Sequence, residues 1–313
     1  MKKWVIAGKC IAANVRTQVR YLTGNSHSAI GASHSAFAIE QSIAYIDRVF
    51  GDYLHYGALT AADLSGKRVL EVGPGDNLGV ALRFICAGAS QVIALDRFVT
   101  TQDPEKNDRI YRAIRESLNA AEFSGERIRP VYNVGIERAD EHFESNSFDL
   151  IVSRAVLEEI YQIDRAFTAM DRLLRPGGAL IHKIDLTDYG LFSGKSFHPL
   201  EFLTIPNLVY AWMSRYSAIP HRHRVNYYRD KMRAMGYDAT LFITRIAGDP
   251  HELEPHKAGL QRGVDYGNEQ LDRIRSIRPR LAPAFRNLSD EDLLAAGLFL
   301  VARKPIDSAS PDR

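Results

Sequence analysis

The stretch VLEVGPGDNLGVAL, from Val69 to Leu82, changes character twice. Apolar and β-branched residues run through an acid, Glu71, then break into a turn made of Gly73, Pro74, Gly75, Asp76 and Asn77, and resume as an apolar helical pattern. This predicts a strand, a tight loop and a helix. Gly73 and Gly75 allow positive φ and close approach of a ligand to the backbone, and the helix N-terminus behind them offers unpaired N–H groups. A second strand, Gln91 to Leu95, ends in Asp96 with Arg97 beside it. In open α/β sheets an acid at that position, about twenty residues after the loop, accepts hydrogen bonds from ribose hydroxyls. The spacing therefore predicts a nucleoside-containing ligand at the switch point of the sheet.

Two ligand classes use this geometry. The dinucleotide pattern G-x-G-x-x-G wants glycine at Leu78, whereas the sequence has it one place later, at Gly79. The alternative pattern, acid-x-G-x-G-x-G, places a carboxylate two residues before the first glycine, where Glu71 stands. Asn77 replaces the third glycine and tolerates the left-handed region. With these residues the chain resembles the class I S-adenosylmethionine-dependent methyltransferases. That resemblance implies S-adenosylmethionine as cofactor, Glu71 orienting its amino-acid end, and a Rossmann-like seven-stranded sheet with an antiparallel last strand and helices on both faces.

Length and composition bound the rest. The chain has 313 residues, 45% apolar and 25% charged, which fits a soluble globular protein of one large domain or one domain with an insertion. Cys10 and Cys86 cannot build a disulfide framework, and a reducing, cytoplasmic setting is expected. A net charge of +2 gives no case for nucleic acid as a partner. The N-terminal segment MKKWVIAGKCIAANVRTQVRYL reads as an amphipathic helix, since Lys9, Asn14 and Arg16 interrupt any signal-like apolar run. It packs on the domain or on a second subunit of a homodimer, or makes peripheral membrane contact.

After a turn at Gly24 to Gly31, Ser33 or Ser35 can cap a helix whose apolar face is Ile39, Ile43, Ile46, Phe50 and Leu54. Tyr45 and Tyr53 serve a lid over the cofactor or are ordinary half-buried tyrosines. From Lys67 to Pro130 strands and helices alternate, which implies a parallel sheet. By the resemblance, the turn after the third strand (Gly135, Ile136, Glu137) meets the adenine; read by itself it is equally a plain strand-to-helix turn. The fourth strand, Phe148 to Val152, delivers Ser153 and Arg154 to the crevice. Glu158 and Glu159 follow, either as chemistry or as acids favoured by a helix dipole.

The fifth strand follows an LRPGG turn and carries His182, Lys183 and Asp185 to its tip, with Asp188 beyond. His182 and Asp185 point to opposite faces of a strand, which argues against a shared metal, and none is expected. From Thr187 to Gly236 an aromatic and basic insertion departs from the minimal plan and resembles methyltransferases associated with bacterial surface-polysaccharide synthesis. Phe202, Trp212 and Tyr216 are candidates to stack on sugar rings, and His221, Arg222, His223 and Arg224 to hold phosphate or carboxylate. Alternatively they form a basic helix start over an aromatic mini-core.

The sixth strand, ATLFITRI, and the last, GLFLVARKP, flank a charged helical region, Glu269 to Ala296, that reads as a lid or dimer arm. The expected organisation is a helical cap at 1–66, the cofactor core at 67–186, a substrate-cap insertion at 187–236, the end of the sheet at 237–304 and a disordered tail at 305–313. The resemblance implies methyl transfer, with O-methylation of a sugar hydroxyl on a nucleotide sugar or surface glycan expected first. N- or O-methylation of a small metabolite or lipid, or a non-catalytic cofactor-binding scaffold, are the alternatives. A sugar hydroxyl needs a base, and Asp185 or His182 is expected to supply it, then Asp188 or His198.

Overall fold

Short apolar runs alternating with amphipathic stretches produce a doubly wound sheet. The computed structural model describes residues 2–22, 27–28, 33–118, 125–215 and 218–306. Its main sheet has strands β1 (Arg68–Val72), β2 (Gln91–Asp96), β3 (Ile128–Tyr132), β4 (Phe148–Arg154), β5 (Leu174–Asp185), β6 (Asp238–Ile246), β7 (Glu252–Lys257) and β8 (Ala295–Arg303). They lie in the order β3-β2-β1-β4-β5-β8-β6-β7. The first five strands pair in parallel, and β8 enters antiparallel between β5 and β6. Strand order reverses beside β1, so the crevice at the carboxyl ends of β1 and β4 is the topological switch point.

The expected seven strands are eight, because Glu252–Lys257 pairs antiparallel on the outer edge of β6. Its sequence, ELEPHK, is polar and holds a proline, which suits an edge and hides the strand from pattern reading. The LRPGG segment is also more than a turn. Phe148 pairs with Leu174 and Leu150 with Ala179, so Arg175 to Gly178 bulge out of a continuous β5.

Helices are α1 (Lys2–Leu22), α2 (Ile39–Gly57), α3 (Gly79–Cys86), α4 (Pro104–Ser117), α5 (Ile163–Leu173), α6 (Asn207–Ser214), α7 (Val225–Ala234), α8 (Asn268–Ile277) and α9 (Asp290–Leu294). The two-residue period of the strands assigns side chains to layers. Leu70, Val72, Ile93, Leu180 and Leu298 face α5 and α7, while Val69, Val92, Val152, Ile181 and Phe299 face α2, α3 and α4.

A third apolar cluster lies outside the sheet layers. It joins Ile6, Ala7 and Cys10 of α1 to Phe192, Phe202 and Met213 of the insertion, and to Leu271, Ile274 and Ile277 of α8. Helices α1 and α2 thus pack on different bodies, and the region expected as a lid or arm is part of this cluster. Tyr53 is buried in the α2 layer. Tyr216, most of the turn at Gly24 to Gly31, and the tail from residue 307 lie outside the described residues.

Candidate functional site

The loop after β1 is shaped by glycine and fixed by α4. Gly73 has φ of +70°, and a Cβ there would lie 2.4 Å from Val156 Cγ2, so no other residue fits. Gly79, the displaced glycine, serves packing: a Cβ on it would lie 2.2 Å from Ile46 Cδ1, where α2 crosses α3. Asn77 accepts from the Gly79 N–H at 2.7 Å and donates to Asn107 Oδ1 at 2.6 Å. Asn107 in turn donates to the Asp76 carbonyl at 2.8 Å, and the Leu78 N–H donates to the Tyr111 hydroxyl at 2.7 Å. Sequence reading missed Asn107 and Tyr111, because nothing local ties α4 to this loop.

The Asp76 carboxylate accepts from the N–H groups of His34 and Ser35 at 3.2 and 2.8 Å, starting the short helix Ser33–Ala36. Lys106 closes its other end by donating to the carbonyls of His34, Ser35 and Phe37. The expected single helix therefore breaks before Ile39, and its first piece, with His34, is held over the crevice.

Under that piece lies a cavity of about 220 Å³. Gly73, Pro74, Gly75, Asp96, Arg97, Ile136, Glu137 and Arg154 line it, together with Tyr45, one of the two lid candidates, and with His34, Glu159 and Arg215, which the sequence did not assign to the cofactor. Asp96 accepts from the backbone N–H groups of Phe98, Gly75 and Arg97, yet burial raises its pKa above the ordinary carboxylate value. The Arg154 guanidinium donates to Asp52 of α2 at 2.7 Å. His34 Nδ1 is buried without a partner, so this wall offers an unused polar atom to a bound group.

Three of the expected cofactor residues lie behind the wall. Asn77 caps α3, as above. Glu71 lies between Leu70 and Val72 and so faces the opposite layer, under α3, where the Ala81 N–H bonds it. Burial pushes its pKa up to about 8, and its Oε2 has no partner. Ser153 is buried and bonded to His182 Nδ1 at 2.8 Å.

The four residues expected as the base do not line this cavity. His182 shares a face with Leu180 and Ile184, is fully buried in that layer, and is held neutral with a pKa near 3 by burial. Asp185 pairs with Arg245 at 2.8 Å. Asp188 accepts from the N–H groups of Gly190, Phe192 and Ser193 and from the Ser193 hydroxyl, which makes it the staple of its loop. His198 accepts from the Leu200 N–H and faces the Arg273 carbonyl with its other nitrogen.

The insertion's basic run is likewise internal, since its donors are taken up by main-chain carbonyls. Arg224 is buried and donates to the carbonyls of Leu186, Asp292, Leu293 and Ala295. Arg222 donates to Phe202, Ile205 and Asn207, with Tyr210 and Phe285 under its guanidinium. His221 is buried and neutral, bonded near the Tyr228 hydroxyl, and His223 stacks on Tyr227. Trp212 is 56% exposed and Phe202 fully buried, so neither faces the cavity. A wider depression of about 470 Å³ beside Arg222 and Lys231 offers none of the loop or strand-tip groups.

What does face the cavity chemically is the turn after β4. Glu159 lines it, and burial, then the nearby Asp96 charge, raises its pKa to about 7. Glu158 behind it is fully buried and raised to about 8, accepting from the Asp185 N–H at 2.9 Å and the Tyr189 hydroxyl at 2.8 Å. The Tyr189 hydroxyl, its proton given to Glu158, also stands beside Glu159 and can accept from that carboxyl when it is protonated. A carboxyl with a pKa near 7 in a cleft can take a proton at neutral pH.

A methyltransferase-domain model matches residues 44–236. Among solved structures, an S-adenosylmethionine-dependent methyltransferase from Mesorhizobium loti is similar at 17% identity and TM-score 0.41, over 77% of this chain and 92% of that one. The YcgJ protein of Bacillus subtilis is similar at 12% identity and TM-score 0.42, over 82% and 97%. Phosphoethanolamine N-methyltransferase 2 of Haemonchus contortus, in complex with phosphomonomethylethanolamine and S-adenosylhomocysteine, is similar at 16% identity and TM-score 0.41, over 77% and 49%. No curated protein matches the chain.

Proposed function

The chain belongs to the methyltransferase-domain family and is an S-adenosylmethionine-dependent methyltransferase, and from that premise we propose that it methylates a hydroxyl of a small polar acceptor, a sugar hydroxyl foremost. The observation that carries this reading is the position of Glu159 in one cavity with the β1 loop and Asp96. Asp96 would hold the ribose, the backbone of Gly73 to Gly75 the amino-acid end, and Gly135 to Glu137 the adenine. The orphaned His34 Nδ1 and the Arg154 guanidinium supply further polar contacts. When bound, the cofactor supplies an electrophilic sulfonium methyl.

The chain's own contribution is alignment and proton removal. An acceptor hydroxyl must lose its proton as its oxygen attacks, and the Glu159 carboxylate takes that proton. Behind the carboxylate, the Tyr189 hydroxyl donates its proton to Glu158 and is left as an acceptor for the proton that Glu159 gains. Tyr45 and Arg215 complete the wall with a ring face and a guanidinium, groups suited to a polar, hydroxyl-rich molecule. Glu159 and Asp96, both lining the cavity, also favour a cationic acceptor, which gives an amine as the second reading.

The test is transfer of a labelled methyl group to a panel of nucleotide sugars, glycans and amines, run from pH 5.5 to 9. Hydroxyl methylation that rises with pH through about 7 is expected, because Glu159 acts deprotonated. Turnover confined to amines would replace this reading with the second.

A further inference from the structure

Helix α1 is divided lengthwise into three faces when its residues are set at about 100° each. Ile6, Ala7, Cys10 and Asn14 form the buried face, set into the cluster beneath the insertion. Trp4, Val5, Gly8, Ala12, Val15 and Val19 fall within an arc of about 100°. All six are exposed, Trp4 to 48% and Val5 to 56%. The third face carries Lys2, Lys9 and Arg16, also exposed. No Asp or Glu precedes Glu40 in the sequence.

The neighbouring α6 adds to this surface. Asn14 donates to the Trp212 carbonyl at 2.9 Å, fixing the two helices together, and α6 exposes Leu208 and Trp212. The chain has two tryptophans, and both stand exposed on these two helices. Such a concentration of exposed apolar side chains marks an interaction surface.

The chemistry selects the partner. The occupant must supply an apolar layer for the valines and tryptophans, and negative charge beside it for Lys2, Lys9 and Arg16. A second copy meeting the face about a two-fold axis would set these cations against each other with no acid on α1 to offset them. An anionic bilayer supplies both layers at the right depth, since tryptophan favours the headgroup boundary and basic residues the charged surface. No helix among the described residues is long and apolar enough to cross a membrane, so α1 would lie in the plane of the surface.

We propose that α1, with the exposed side of α6, docks the protein in-plane on an anionic phospholipid membrane. Docking brings the cavity close to the surface, because Arg215, the residue directly after α6, lines it. The membrane contact does not depend on which acceptor is methylated.

The experiment is sedimentation of the full chain with vesicles of phosphatidylcholine alone or with phosphatidylglycerol added, at low and high salt, with tryptophan emission read in parallel. Binding to the anionic vesicles alone, a blue shift of emission, and release by salt are expected. Single-tryptophan variants Trp4→Phe and Trp212→Phe should each retain a shift, since each leaves one reporter in the interface. Lys9→Glu with Arg16→Glu should weaken partitioning by roughly 10-fold or more while leaving S-adenosylmethionine binding unchanged. No sedimentation with anionic vesicles, equal binding to neutral ones, or a blue shift that follows protein concentration without lipid would each overturn the proposal. The last result would assign the face to a second copy.

Discussion

Arg224 and Glu159 are both ionisable groups drawn away from water, the first in the insertion after β5 and the second in the turn after β4. Arg224 commits four of its five N–H donors to main-chain carbonyls of the chain itself. Glu159 has the Tyr189 hydroxyl behind it and a cavity in front. The same contrast extends to their neighbours. Arg222, Asp188 and His198 bond to the chain itself, whereas Glu71 and Glu158 each keep a buried oxygen without a partner. Reactive residue types are common to both regions, so access to the cavity, which Glu159 has and Arg224 lacks, is what separates a site from a scaffold here.

Breaking the proposed chemical side should have the largest effect. Glu159→Gln is expected to lower kcat by about 10²–10⁴-fold with KM little changed and to abolish the rise of rate with pH near 7. Steady-state kinetics across pH checks both, and an unchanged profile would place the base elsewhere. In the insertion, Arg224→Ala should cost about 3–4 kcal/mol of stability, because it strands buried carbonyls and leaves a cavity. Denaturant unfolding measures this loss.

Replacing the buried carboxyl behind the cavity wall should have the opposite sign. The Glu71 carboxyl is raised from 4.5 to about 8 by burial, so its contribution to stability is full below about pH 4.5 and is lost as pH climbs through 8. Glu71→Gln keeps an acceptor for the Ala81 N–H and should gain on the order of 1–3 kcal/mol at pH 8 and little at pH 5. Tm measured at the two pH values decides this, and stabilisation at pH 5 alone would reverse the assignment.

The parts of this molecule that depend on the backbone left marks in the sequence. Gly73 and Gly75 in the loop, and Asp96 at the end of β2, are requirements of conformation and register that few other residues meet. Glu71 and His182 lie off the cavity for a reason that the two-residue strand period contains. Glu71 alternates with Leu70 and Val72, and His182 shares its face with Leu180 and Ile184, so both point into packed layers. The roles of Arg222 and Arg224 were not legible, because their acceptors come from segments as distant as Leu293 and Ala295. Strand β7 was missed because a polar, proline-bearing edge strand has no apolar alternation to read. Glu158 and Glu159 were visible as acids, but the burial that raises them above surface carboxylates, and the Tyr189 hydroxyl that partly offsets it, are tertiary facts.

The most direct test of the central claim is calorimetric titration of S-adenosylmethionine into the wild-type chain, Asp96→Ala and His223→Ala. If the crevice beside Asp96 holds the methyl donor, the wild type and His223→Ala bind alike, and Asp96→Ala is weakened by about 1.5–3 kcal/mol through lost charge-assisted hydrogen bonds. Undiminished binding to Asp96→Ala, with binding lost in His223→Ala, would move the donor site into the insertion and contradict the account.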